Sequence, residues 1–487
     1  MTRQVEVRGG SYRDSVGLMQ VSRDLRALAG VSSALVAMAT ELNVDLLVSM
    51  GFEQPSGLGP GDMIVAIEAD DADAVMRARE ALDSALAARP AGTGATDGSA
   101  DVPPPSIAAA ARRTPAQLAL ISTPGRVAAI DAADALGAGL DTMVFSDNVT
   151  IEHEVSLKET AAAAGLLLMG PDCGTAVVDG VGLGFANVVR PGPVGIVAAS
   201  GTGAQHLMSL LDGAGIGVAH CLGVGGRDLS SDVRARSTLV AMDRLDADDE
   251  VSTIVVVSKP PASEVAGIVT AHAGRLATAT VLGYLGAGQP DLTATAERVA
   301  AAAGLTWVPP RRWGGPLPEP RRGFVRGLFV GGTLCDEAML IAAAELGDVA
   351  SNIPLEGGRR LDTTLTASGH TFIDFGDDTL TVGRPHPMID PSLRLERLER
   401  ELADPTCAVV LLDIVLGLGA HRDPASDIAP LVGRYDTPVV VALVGTRDDP
   451  QGLEGQAATL VAAGAVVHAS NAAATRDAIA VIQRSST

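Results

Sequence analysis

Short apolar runs alternate with amphipathic stretches along most of the chain. One arrangement recurs: a run of strand length, a glycine turn, then a helix. The clearest copy lies in residues 193–228, PVGIVAASGTGAQHLMSLLDGAGIGVAHCLGVGGRD. Val194 to Ala199 is the strand, Ser200-Gly201-Thr202-Gly203 the break, and Leu207, Met208, Leu210 and Leu211 fall at helical spacing. Gly201 and Gly203 let the backbone approach a ligand closely. Ser200 or Thr202 caps the helix, and the free N–H groups of its first turn suit an anion, most often phosphate. A second run, Ile216 to Val224, ends in Gly225-Gly226-Arg227-Asp228, a loop expected on the same strand-end edge, with Arg227 placed to pair with phosphate or carboxylate.

The pattern predicts an α/β protein of four domains. Residues 1–88 read as a small α/β sandwich, with strands at Val5–Arg8, Ala34–Ala39 and Met63–Glu68 and helices at Asp14–Leu28 and Asp71–Ala88. Residues 89–106 are rich in Pro, Gly and Ala and read as a linker. Residues 107–190 resume the rhythm as a Rossmann-like domain. Its three strands, LALIS, TMVFS and LLLMG, end in loops carrying Thr123, Asp147-Asn148 and Asp172. Continuous apolar strands between helices indicate a parallel sheet covered on both faces, whose ligands bind at the strands' carboxyl ends. These residues are therefore candidate site groups, or plain turn and cap residues. Residues 191–310 and 322–487 read as two flavodoxin-like sheets joined by a linker over 308–323. The second repeats the theme with FVRGLFVGGTLCDEAMLIAAAEL, in which Gly331, Gly332 and Thr333 form the turn, and with a glycine loop at Gly417 and Gly419. Two such turns facing one another would enclose one anion.

The stretch TVGRPHPMID stands apart. Two prolines fix His386 between Arg384 and Asp390, and a rigid loop holds side-chain directions well. His386 is a candidate general acid/base or oxyanion donor and Arg384 a carboxylate clamp; the alternative is a stiff connector in which Arg384 pairs with Asp390. Lys259, at a strand end, points either into a pocket or to the surface, and Cys335 is a nucleophile or a buried filler.

Composition narrows the partners. Aromatic residues make up 2% of the 487-residue chain and the net charge is −22, which argues against base-stacking or phosphate-backbone surfaces and so against nucleic acid. The four cysteines are far apart, form no CxxC and give no metal framework, which suits the reducing cytoplasm. MTRQVEVRGGSYRDS does not read as a signal peptide, and no run has the length of a membrane helix.

The motifs GPDCGTAVVDGVGLGFANVVRPGPVGIVAASGTG (containing Asn187), GVGGRDLS, SKPPA, GGTLCDEA and VGRPHPMIDP resemble the FdrA family over nearly the whole chain. FdrA proteins are commonly labelled acyl-CoA synthetases and are similar to succinyl-CoA synthetase. The resemblance implies a CoA-binding-type domain at 107–190, with Thr123, Asp147, Asn148, Asp172 and Asn187 in its substrate or CoA loops. It also implies an α-subunit-like ligase domain, then a β-subunit-like one. In the synthetases two helices aim their positive ends at a phosphohistidine; Ser200-Gly201-Thr202 matches one helix start, and Gly417 and Gly419 sit at the other subunit's glycine pair. Two departures stand out. Residues 286–313, where the relay histidine would follow its strand, contain no histidine, although His272 precedes that strand. No segment reads as an ATP-grasp domain. The family implies instead a subunit of a heteromeric oxamate carbamoyltransferase in purine and allantoin breakdown, binding phosphate or carbamoyl phosphate and a small carboxylate beside partner subunits. Acid–thiol ligation with a nucleotide-binding partner is the alternative. CoA is a possible cofactor and no metal is expected.

Overall fold

The computed structural model describes residues 2–9, 13, 15–59, 61–88, 104–366, 369–381 and 385–482. The chain is α/β and divides into two compact units, Met1–Pro103 with Asp378–Asp390, and Pro104–Asp377 with Pro391–Thr487. Residues 89–103 of the expected linker lie outside the described residues.

The first unit runs β1 (Thr2–Arg8), α1 (Ser15–Arg26), β2 (Val31–Met38), α2 (Glu41–Ser49), β3 (Met63–Ala69) and α3 (Ala72–Ala88). Its antiparallel sheet has the order β1-β3-β2. The alternation of β3 explains the packing. Met63, Val65 and Ile67 face Leu18, Val21 and Leu25 of α1, while Ile64 and Ala66 join Leu47 and Phe52 in a second cluster. Helix α2 has no counterpart in the sequence reading; Thr40 caps it by accepting the Asn43 N–H.

The second unit opens with α4 (Ile107–Arg113) and a parallel sheet, β4-β5-β6, formed by β4 (Leu118–Ile121), α5 (Gly125–Gly137), β5 (Asp141–Val144), α6 (Ile151–Ala163) and β6 (Leu168–Met169). The hairpin β7 (Thr175–Val178) and β8 (Val181–Gly184) leads into β9 (Val194–Ala199), α7 (Gly201–Gly213), β10 (Val218–Gly223), α8 (Arg236–Asp246), β11 (Thr253–Ser258), α9 (Ser263–Ala273), β12 (Ala279–Tyr284) and α10 (Leu292–Ala302). These strands make a sheet of order β12-β11-β9-β10-β7-β8. A third sheet uses β13 (Arg312–Trp313), β14 (Phe324–Phe329), α11 (Gly332–Leu346), β15 (Val349–Ser351), β16 (Arg359–Arg360) and β17 (His370–Asp374). The chain then passes through α12 (Asp378–Thr381) of the first unit. It returns with α13 (Ser392–Ala403), β18 (Cys407–Val415), α14 (Pro424–Val432), β19 (Val439–Val444), α15 (Leu453–Ala462), β20 (Val466–His468) and α16 (Asn471–Ala480).

The third sheet's order is β13-β20-β19-β18-β14-β17-β15-β16. In both large sheets the strand that leads into a glycine turn, β9 or β14, lies between the next two principal strands. Every residue of β9, β11, β18 and β19 is buried, as parallel strands covered on both faces require. Two elements depart from expectation. The β7–β8 hairpin pairs antiparallel with β10, so residues 175–184 extend the second sheet and not the first. The stretch 308–323, expected as a linker, supplies β13 to the third sheet's edge.

Candidate functional site

The two glycine turns meet. Ser200 caps α7 by accepting the Gly203 N–H at 2.9 Å, which leaves the Gly201 and Thr202 N–H groups at the helix mouth. Gly331 opens α11 without any side-chain cap. The Ser200 and Thr333 hydroxyls hydrogen-bond at 2.6 Å. A Cβ on Gly331 would come within 3.0 Å of the Thr202 side chain, so the two turns touch directly. Both helices thus bring their positive ends to one place.

Carboxylates crowd the α11 side. Asp413, in the middle of β18, accepts the N–H groups of Val330 at 2.8 Å and Gly331 at 2.9 Å. Arg394 of α13 donates to the Asp413 carbonyl at 2.6 Å and to its Oδ1 at 3.1 Å. Asp374, the last residue of β17, accepts the Gly376 N–H through Oδ1. Its Oδ2 would stand 2.7 Å from a Cβ on Gly332, and the Lys259 ammonium 3.2 Å from the same point. Lys259 in turn pairs with Asp336 at 3.0 Å while its side chain stays 43% exposed, so it sits at the mouth of the site. Burial pushes Asp374 up to about 7 against the pull of Lys259, and Asp413 up to about 6 against Arg394. Burial also raises Asp336. It would lower Lys259, but Asp336 and Asp374 outweigh it and raise the ammonium's pKa. Near neutral pH the cluster therefore carries little net charge, and the attraction for an anion comes from the helix ends and Lys259. Asp374 is poised to hold or release a proton. Cys335 is fully buried and its thiol is pushed well above its ordinary value, first by burial and then by Asp374, which makes it a filler.

The other predicted residues of the second unit are held by different partners. Gly225 packs against the Pro171 carbonyl, and Gly226 is exposed beside it. Arg227 is committed to the Val149 carbonyl and to Glu154, both at 2.8 Å. Thr123, Asp147, Asn148 and Asp172 gather on one strand-end edge of the β4-β5-β6 sheet. There Ser146 donates to the Thr123 carbonyl and accepts the Asp172 N–H through its own. Gly125 crosses so close to Asn148 that a Cβ would lie 2.4 Å from the Asn148 carbonyl oxygen. Asn187 is not on that edge; buried, it donates to the Leu416 carbonyl and to Asp449. Gly417 gives its N–H to Gln451 at 3.1 Å, and Gly417 and Gly419 pack against Ala186 and Phe185. His272 sits on α9 bound to Asp243 at 2.7 Å. Arg384 lies outside the described residues. His386 belongs to the first unit, where its Nδ1 accepts the Met388 N–H at 3.2 Å, which puts the ring proton on Nε2. Burial pushes this imidazole down to about 4, so it is neutral at pH 7.

Sequence reasoning missed Asp336, Asp374, Asp413 and Arg394. Asp413 had a signal: it is the one charge in the apolar run CAVVLLDIV. Asp374, ending HTFID, had a weaker one. Arg394, in the charged helix SLRLERLERELA, had none.

The geometry can be set against known proteins. A protein-family model described as CoA-ligase matches residues 328–481, and one described as AllF, heavy metal-associated domain, matches residues 1–103. The uncharacterized protein YahF of Escherichia coli (strain K12) is 37% identical over 508 residues, covering 97% of each chain. The chain belongs to the succinyl-CoA-synthetase-like family that includes YahF. Subunit alpha 2 of the ADP-forming succinate–CoA ligase of Archaeoglobus fulgidus is 26% identical over 221 residues, covering 41% of this chain and 77% of its own. Among solved structures, a dinucleotide-forming acetyl-coenzyme A synthetase 1 from Ca. Korarchaeum cryptofilum, in complex with phosphate and ADP, is 15% identical. It covers 78% of this chain and 88% of that one with a TM-score of 0.31.

Proposed function

We propose that the paired α7 and α11 ends bind the phosphate of a small acyl or carbamoyl phosphate, and that the chain is the FdrA-type subunit of an oxamate carbamoyltransferase. The observation that carries the phosphate site is the Ser200–Thr333 contact at 2.6 Å, which joins two helix N-termini beside Lys259. In this reading a phosphate oxygen bonds to the carbamoyl carbon of oxalurate. The bond from that carbon to the oxamate nitrogen breaks, and the nitrogen takes one proton. A carboxyl group near pKa 7 at the Gly332 turn, Asp374, is suited to supply it. The N–H groups of a ureido substrate also need acceptors, which Asp374 and Asp336 offer. The test is phosphate-dependent oxalurate cleavage by the complex assembled with its partner subunits. Leucine at positions 200 and 202 should cost about 10²-fold in turnover. Unchanged turnover in that variant sinks the reading.

Acid–thiol ligation is the second reading, and the CoA-ligase match over residues 328–481 favours it. It calls for a partner that binds nucleotide and for a phosphorylated relay group, and residues 286–313 contain no histidine to serve. Incubation with ATP, CoA and the partner separates the two. Ligation yields an acid-labile phosphoprotein and a thioester; carbamoyl transfer yields neither.

A further inference from the structure

Residues 1–103 match a domain described as heavy metal-associated, and their donor set can be tested against that description. Heavy metals of this kind are held by thiolate, thioether and imidazole groups. The four cysteines are Cys173, Cys221, Cys335 and Cys407, and the first histidine is His153, so residues 1–103 contain neither donor. Thioether sulfur is the remaining soft group. Met38 and Met63 are cross-strand partners of β2 and β3, but both lie in the apolar core with Leu18 and Val21. Met50 packs against the second apolar cluster, Met19 is half-buried on α1, and Met76 is exposed on α3, where a lone thioether holds no metal. The residues present do not fit a soft metal.

What this unit holds is peptide. Residues 378–390 cluster with it, although their sequence neighbours on both sides belong to the second unit. Helix α1 ends in Arg23 and Arg26. Arg26 donates to the Asp390 carboxylate at 2.7 Å, and that side chain is only 10% exposed. Arg23 donates to the Ile389 carbonyl at 3.3 Å. Met388 and Ile389 are buried, and the His386 carbonyl accepts the N–H groups of Ile389 and Asp390, closing a tight turn. A carboxylate and a backbone carbonyl of this turn are thus gripped by two arginines of one helix, and charge-assisted bonds of this kind suit an acidic peptide.

We infer that the N-terminal domain carries no metal and serves as a peptide clamp, its α1 arginines gripping the chain's own Met388-Ile389-Asp390 turn. Hydrogen exchange on the full chain tests both halves. Adding Cu(I) or Zn(II) should leave the protection of residues 1–88 unchanged; a metal-induced gain of protection there overturns the first half. Arg26→Ala, and separately Asp390→Asn, should speed exchange of the Ile389 and Asp390 amides by about tenfold. The β3 amides should keep their protection in both variants, which shows that the domain is still folded. Unchanged exchange at Ile389 and Asp390 in both variants overturns the clamp.

Discussion

Glu337 follows Asp336 on α11 but faces a different environment. Its two oxygens accept the Leu292 N–H at 2.6 Å and the Asn471 side-chain amide at 2.7 Å. Asn471 in turn gives its backbone N–H to Nε2 of His206, a residue that burial holds neutral by pushing its pKa down to about 4. Burial drives the Glu337 carboxyl from 4.5 up to about 7, against the pull of those two donors. The consequence for stability has a definite sign. In the unfolded chain the carboxyl loses its proton near its ordinary value, whereas in the folded chain it keeps the proton until about pH 7. Between those limits the unfolded state binds fewer protons, so stability falls as pH rises, by roughly 1.4 kcal/mol per unit of the difference. Asp374 and Asp413 act in the same direction over their own intervals. The buried His206 and His386, pushed down to about 4, act in the opposite direction below their ordinary value, so the Glu337 contribution is read by comparing the wild type with a variant in urea unfolding at pH 5 and pH 7.5. Glu337→Gln, which has no proton to lose, should lose about 1–3 kcal/mol less. An identical loss in both proteins would show that Glu337 is ionised throughout.

The pairing of α7 with α11 rests on a few atoms. Ser200 serves both as the α7 cap and as the hydrogen-bond partner of Thr333, so the two helix starts share one hydroxyl. Ser200→Ala should cost about 1–2 kcal/mol, the range for a lost cap, and Thr333→Val about 1 kcal/mol. Because the residues touch, the double variant should cost less than the sum, with a coupling of at least about 0.5 kcal/mol in a chemical-denaturation cycle. Additive losses would mean that the contact does not form in solution. The glycine turns were legible in sequence because strand, turn and cap lie within ten consecutive residues. The acids were not: Asp374 and Asp413 reach the Gly331–Gly332 turn through strand neighbours about 40 and 80 positions away, and no local pattern states which strands adjoin. The β7–β8 hairpin was legible and went unread. Asp179-Gly180 joins its strands with φ values of 48° and 75°, the signature of a two-residue hairpin turn. Helix α2 was obscured for another reason: its nine residues have no strong apolar stripe, and it is held by its cap and by Leu47.

Three sheets make up the second unit, and buried polar groups cross between them. Asn187, preceding β9, binds Leu416 and Asp449 beside the third sheet. Between the first and second sheets, beside the Ser237 hydroxyl on the Leu168 carbonyl and Arg244 on Asp141, the central link is Lys158 of α6, which is fully buried. Its ammonium donates to Glu154 at 2.8 Å, to Asp228 at 2.7 Å and to the Val224 carbonyl at 2.9 Å. Asp228 also accepts two N–H groups and the Thr238 hydroxyl from the start of α8. Lys158 and Glu154 share α6, but Asp228 finds its cation only across the interface, so parting the sheets strands the Asp228 carboxylate without it. The second unit should then unfold as one cooperative body. Lys158→Met tests this. The methionine fills similar space but leaves Asp228 buried without its cation and Glu154 with Arg227 alone, and the loss should be about 3–5 kcal/mol. Hydrogen exchange should then show the β4 and β5 amides exchanging at lower free energy than those of β9 and β11, as separate steps. A loss below about 1 kcal/mol, with exchange still uniform across both sheets, would mean that the buried Lys158 cluster contributes nothing to their union.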